Sequence, residues 1–260
     1  MRIPIYQVDA FSGNLFAGNP AAVCPLDRWL EDSLLQAIAA ENNLAETAFF
    51  VEDGGTYRLR WFTPGVEVDL CGHATLATAF VILTRLTPDR TSVTFTTRSG
   101  ELTVVREEDR YRMDFPARPP EPCEPHPDLI PALGGTPEAI YASRDYLVVY
   151  RSEAEVAALR PNMEKLMGVG RFAVIATAPG NGVDFVSRFF APSKGVPEDP
   201  VTGSAHCTLN PYWAKRLGKT ALKARQISKR GGELWCEDRG ERVNMAGGAA
   251  LFLEGTIHLP

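Results

Sequence analysis

The chain has 260 residues, 45% hydrophobic and 23% charged, with a formal net charge of −5. This is the composition of a globular protein with one large or two ordinary domains. It excludes sequence-independent nucleic-acid binding, which needs clustered Lys and Arg to replace phosphate counterions. No apolar run approaches the ~18 residues of a membrane span, and the start, MRIPIYQVDAF, lacks the apolar stretch of a secretion signal. Cys24, Cys71, Cys123, Cys207 and Cys236 are odd in number and widely spaced, so neither a disulfide framework nor a structural zinc site is expected. The expected setting is a reducing cytoplasm, with no membrane or nucleic-acid partner and no metal.

In chain order, Ile3 to Val8 alternates as a strand, and the turns Ser12-Gly13-Asn14 and Gly18-Asn19-Pro20 lead into Ala21-Ala22-Val23. Apolar residues at 30, 34, 35, 38 and 39 have helical spacing, so a helix is predicted over 30–42, ended by Asn42-Asn43. Thr47 to Val51 and Tyr57 to Phe62 read as a hairpin turning at Asp53-Gly54-Gly55. A small-residue helix opens at Gly72-His73, and strands follow over 92–97, 102–106 and 111–115. Eight prolines lie between Pro116 and Pro137, counting both ends. Proline fixes its own φ and disfavours helix before it, so this stretch reads as a linker. The expected division is 1–118 and 119–260, with the strand around Leu251 able to cross back to the first domain. Beyond it the pattern predicts strands over 146–150, 171–177 and 183–190, a helix over 153–167, a helix from Gly203 to about Leu217, and strands over 226–229, 233–236, 243–245 and 250–253.

The second half echoes the first. Phe62-Thr63-Pro64 and a loop with Asp69 precede the Gly72 helix; Phe190, Pro192 and a loop with Asp199 precede the Gly203 helix. Gly100-Glu101-Leu102 stands as far before Met113 as Gly232-Glu233-Leu234 before Met245. Shared features in one order imply duplication: an α+β fold of two similar, pseudo-twofold-related domains, whose cleft is the default ligand site.

Helix openings carry unpaired N–H groups and partial positive charge, which suit a carboxylate. Gly72 and Gly203 would let a ligand approach the backbone, although each could simply make a tight turn. Glu46 is the sole charge in Asn42-Asn43-Leu44-Ala45-Glu46-Thr47-Ala48-Phe49-Phe50. Desolvation there would raise its pKa towards the range of a general acid or base; the competing reading is a strand-edge, solvent-facing Glu. His73, at a positive helix end, is expected neutral. Cys71 would be a nucleophile or base if the helix end lowers its pKa, whereas Cys207, inside a helix, is expected inert. Of Glu198 and Asp199, one is expected to turn inward and one to be solvated, with Thr202 as the helix cap.

The chain resembles the PhzF, or phenazine-biosynthesis-like, family, which is similar in fold to diaminopimelate epimerase. The resemblance rests on Val8-Asp9-Ala10-Phe11, Gly18-Asn19-Pro20-Ala21, Asn43-Leu44-Ala45-Glu46-Thr47-Ala48-Phe49, Phe62-Thr63-Pro64, Asp69-Leu70-Cys71-Gly72-His73-Ala74-Thr75 and Glu198-Asp199-Pro200-Val201-Thr202-Gly203-Ser204-Ala205. It implies a cofactor-independent isomerase or epimerase in which a curved mixed sheet wraps a central helix in each domain. It implies that Glu46 moves a carbon-bound proton on a small carboxylate-bearing metabolite, supported by His73 and Asp199. Cys71, Gly72, Gly203, Ser204 and Ala205 would contact the substrate, and a homodimer is implied. Two departures put the phenazine precursor in doubt as substrate: Ala45 stands where many relatives have Ser, and Cys71 falls where diaminopimelate epimerases have a catalytic cysteine. Two competing readings are a non-catalytic metabolite-binding or regulatory protein and an epimerase centred on Cys71.

Overall fold

A computed structural model describes residues 1–259. The chain divides into two compact units, one of Met1–Asp114 with the segment from Ala246 onward, the other Phe115–Met245. Relative to the expected division at 118, the first unit thus ends a few residues earlier and also takes the last strand.

In the first unit, β1 (Arg2–Ala10) lies antiparallel to both β18 (Ala249–His258) and β2 (Asn19–Leu26). After α1 (Asp32–Asn42), β3 (Glu46–Asp53) returns parallel to β2, a crossover that the helix makes possible. β4 (Thr56–Phe62) folds back on β3 through Gly54-Gly55, both at positive φ, as a two-residue hairpin turn requires. A short β5 (Glu67–Val68) pairs with β4 and precedes α2 (Gly72–Val81). β6 (Ser92–Thr97) then runs parallel to β4, followed by the antiparallel β7 (Gly100–Glu107) and β8 (Arg110–Pro116). α2 packs against β1, β2, β3 and β18, and His73 to Ala79 are all buried. A helix buried on every side belongs inside a fold, and this one is the pillar that the sheet wraps.

The second unit repeats this order. β9 (Glu121–Pro122) pairs antiparallel with β10 (Ala139–Ala142), and β10 with β11 (Tyr146–Val149). β12 (Val174–Pro179) is parallel to β11, as β3 is to β2. β13 (Phe185–Ala191) makes the hairpin with β12, and a short β14 (Val196–Asp199) pairs with it. α6 (Gly203–Leu217) follows, then β15 (Ala221–Gln226) parallel to β13 and β16 (Gly232–Asp238) antiparallel to β15. β17 (Arg242–Gly247) completes the chain before β18. Parallel pair, hairpin, short strand, buried helix and second parallel pair recur in one sequence, so the duplication is written in topology as well as in motifs.

Three segments differ from the sequence prediction. The proline-rich stretch is not a linker: α3 (Leu129–Leu133) buries Leu129, Ala132 and Leu133 in the second core. Pro131 is tolerated because the first turn of a helix leaves its N–H groups unused. The single helix expected over 153–167 is two, α4 (Glu153–Ala158) and α5 (Met163–Leu166), with Leu159 extended at their junction. Pro161 explains the break, since it excludes Arg160 from helical φ and ψ. The strand expected over 226–229 ends at Gln226; Gly231 at positive φ donates its N–H to Ser228 Oγ in the turn that follows.

Pro211 lies within α6. It has no N–H to give the carbonyl four residues back, and that carbonyl, of Cys207, accepts from Arg118 N at 2.8 Å instead.

Candidate active site

Local sequence sets the position of Glu46. Asn43 takes the left-handed conformation (φ 50°, ψ 35°) at the end of α1, and its N–H reaches Ala39 O. Asn tolerates that geometry far better than a branched residue, so the helix stops there and Glu46 becomes the first residue of β3. Asn42 Nδ2 donates to Thr47 Oγ1 at 3.1 Å, fixing the junction. Thr47 thereby faces α1, and strand alternation turns Glu46 to the opposite face.

On α2, Cys71 is the N-cap in extended conformation, and its side chain makes no capping bond. Its carbonyl receives both Thr75 N and Thr75 Oγ1, and its thiol is left to meet the next turn. His73 Nε2 lies 3.0 Å from Glu46 Oε2. Its Nδ1 lies 3.4 Å from Cys71 Sγ and 3.3 Å from Asn19 Nδ2. The Glu46–His73 contact is not a straight hydrogen bond, and neither atom has another such partner among the described residues; charge attraction joins them. The Glu46 side chain retains 18% of its surface exposed and that of His73 7%, so a ligand would meet the carboxylate first with the imidazole behind it.

The electrostatics reverse two expectations. Burial pushes the Glu46 carboxyl upward, but the charge and close approach of His73, with the Cys71 side chain beside it, outweigh it and leave Glu46 below its ordinary value. Burial pushes His73 down, yet Cys71 and Glu46 carry it well above the ordinary imidazole value. A carboxylate at contact distance is a larger effect than a helix end, which acts as a partial charge. Glu46 is therefore the ionised partner and His73 the protonated one near neutral pH. The Cys71 thiol is raised by burial and by Glu46, so the helix end does not make it a thiolate.

Donor atoms of Glu46, Cys71 and His73 lie within 4.8 Å of one another, a spacing that would also suit a cation. The ring, however, turns one nitrogen to Cys71 and the other to Glu46. A single ion could use only one of them, so this arrangement matches proton handling better than ligation.

In the second unit, Asp199, Gly203, Ser204 and Ala205 gather at the opening of α6. Thr202 is the N-cap, but its hydroxyl donates to Asp199 Oδ2 and makes no cap bond. Gln226 holds the turn instead: its Oε1 accepts Thr202 N at 2.9 Å while its Nε2 donates to Asp199 O at 2.8 Å. Glu198 is not the solvated member of its pair; Arg188 holds it by two bonds of 2.7 and 2.9 Å. Ser204 Oγ receives Arg144 Nη2 at 3.3 Å, and Arg144 is itself forked onto Asp145. Cys207 is buried and pushed up to about 11 by burial, in keeping with an inert thiol.

Asn19, Gln226 and Arg144 were not singled out as site residues from the sequence. Asn19 had a signal in the Gly18-Asn19-Pro20 turn: a Cβ on Gly18 would stand 2.2 Å from Ala10 O, so only glycine passes there, and β2 begins on Asn19. Gln226 and Arg144 had none, because their partners are distant in sequence.

The topology is that of an epimerase-like fold, and the relatives of this chain make it an isomerase. The chain belongs to the phenazine biosynthesis-like (PhzC-PhzF) family, whose model matches residues 8–255. It is similar to an uncharacterised isomerase of Pseudomonas aeruginosa, 57% identical with all of both chains covered. It is similar to a PhzF-family crystal structure from Enterococcus faecalis, with TM-score 0.97, 48% identity and both chains fully covered. A hydroxyproline epimerase from Agrobacterium vitis shares the fold alone, with TM-score 0.59 and 8% identity over 98% of this chain and 92% of that one. No helix among the described residues is long and apolar enough to cross a membrane.

Proposed function

We propose that the protein is a cofactor-independent isomerase that moves a carbon-bound proton on a small carboxylate-bearing metabolite, with Glu46 as the acid/base. The observation that carries this reading is the Glu46–His73 contact of 3.0 Å, with the carboxylate the more exposed member. The pair is loaded for the task. The Glu46 carboxylate takes a proton from carbon, and the electron pair left behind delocalises towards the substrate carboxylate. His73, cationic behind it, stabilises the negative charge as it develops. Glu46 then returns the proton to another carbon or to the other face of the same one, and the protein ends as it began.

On the strength of the family resemblance Asp199 enters as a supporting catalytic group, and Cys71, Gly72, Gly203, Ser204 and Ala205 as substrate-positioning groups, with the helix openings of α2 and α6 each offering N–H groups to an anion. A homodimer and a cytoplasmic setting belong to the same reading.

The test is solvent exchange. The protein is incubated in D2O with small amino, hydroxy and conjugated cyclic carboxylates, beside Glu46→Gln. A mass gain with wild type alone supports the reading. Equal exchange in both proteins removes Glu46 as the base. A carboxylate that binds tightly and never exchanges makes this a binding protein.

A further inference from the structure

As pH rises His73 passes from charged to neutral, and it keeps its place beside Glu46 only if its other nitrogen tolerates both protonation states. Two groups reach that nitrogen, the Cys71 thiol and the amide of Asn19, which is fully buried at the start of β2. They differ in kind. A thiol is a weak donor and a weak acceptor, whereas a primary amide carries a strong donor and a strong acceptor side by side. When the ring is neutral with its proton on Nε2, Nδ1 accepts; when the ring is charged, Nδ1–H must donate.

We propose that Asn19 is a positioning residue that holds His73 by Nδ1 through both states. It gives Nδ2–H to the neutral ring and, with the amide turned over, Oδ1 to the charged one. The imidazole can then lose and regain a proton without moving away from Glu46. The 3.3 Å contact puts the Asn19 amide on His73 Nδ1, and the charge of the ring sets which end of the amide faces it. This rests on the reading of Glu46 and His73 as a proton-transfer pair.

Few other groups compete for the ring. Glu46 faces it from β3 and Cys71 from the turn before α2. On β1, the buried Asp9 accepts Phe16 N at 2.8 Å. On β2, Cys24 belongs to the cluster on the α1 side. On β18, Glu254 and His258 are exposed.

The experiment is 15N NMR of the His73 ring in ligand-free protein across a pH titration, with the signal assigned by its loss in His73→Gln and folding checked by the amide spectrum. In wild type, both limits should show a single hydrogen-bonded Nδ1 environment, with the neutral ring in the Nε2–H tautomer. Asn19→Asp, an acceptor only once ionised, should raise the His73 midpoint by about one unit or more. Asn19→Leu should mix the two neutral tautomers, and Cys71→Ala should leave them as in wild type. Wild-type shifts and midpoint in Asn19→Leu, with Cys71→Ala changing them, would make the thiol the partner and overturn the proposal. If Asn19→Leu does not fold, an unchanged midpoint in Asn19→Asp overturns it instead. These readouts need no turnover. A shifted His73 alongside persistent exchange in Glu46→Gln would retire the acid/base reading and leave this one standing.

Discussion

The twin helices each bury a histidine, and the two behave in opposite ways. His73 sits in the first turn of α2 against a carboxylate, and its affinity for a proton is raised. His206 sits two residues further into α6, fully buried, with Nδ1 2.9 Å from Thr202 O and the Phe185 ring beside it. Burial pushes it down to about 4. Fold, helix and burial are shared, so they do not decide the charge of an imidazole. One carboxylate within contact distance does. Duplication supplied two similar openings, and Glu46 sets the imidazole of one of them apart from that of the other.

The strongest way to break this contrast is Glu46→Gln. With the carboxylate gone, His73 should fall towards the behaviour of His206, read by the 15N titration. Proton exchange on a confirmed substrate should drop by about 10²- to 10⁴-fold.

The second test uses pH and stability. His206 has its folded pKa below the ordinary 6.5, so the unfolded chain takes the proton first. Stability should decline by about 3 kcal/mol as pH falls from 6.5 to about 4, and His206→Gln should remove that decline in urea melts. His73 has the opposite sign: its contribution is full below 6.5 and is lost as pH rises through its raised folded value. Glu46, lowered from 4.5, contributes fully above that pH and loses its contribution below it. The pair therefore stabilises most between 4.5 and 6.5, and Glu46→Gln should flatten the alkaline decline but not the one due to His206.

A third test concerns how each helix opening is held. Gln226→Leu would leave the buried Thr202 N–H without its partner, which should cost about 1–3 kcal/mol in denaturant unfolding. At α2 no side chain caps the helix, so Cys71→Ser should cost much less. The smallest effect is on thiol reactivity. With Cys71 buried and raised in pKa, alkylation of the native protein should be faster at the partly buried Cys123, as peptide mapping would show.

Much of this was legible in the residues. Gly54-Gly55 specifies a hairpin because both positions need positive φ, and the small apolar run after Gly72 specifies a helix buried on all sides. The repeated spacing carried the duplication. The proline-rich stretch misled because proline density reads as a linker, while Leu129 and Leu133, the residues that bury it, are too few to show a period. Glu46 and His73 could each be picked out by their neighbours in sequence, one as a lone charge among apolar residues and the other at a helix opening.

The sequence by itself therefore determined the α+β class and the two repeated units, and it singled out Glu46 and His73 as candidates, because propensity, turn geometry and periodicity act over a few neighbouring residues. The protonation of the site was decided only by tertiary structure. Glu46 and His73 are 27 positions apart, and their pKa values follow from a separation of 3.0 Å that no local pattern encodes. Electrostatic energy between charges depends on distance in space and on the water removed around them. Those quantities exist only once β3 and α2 have packed together.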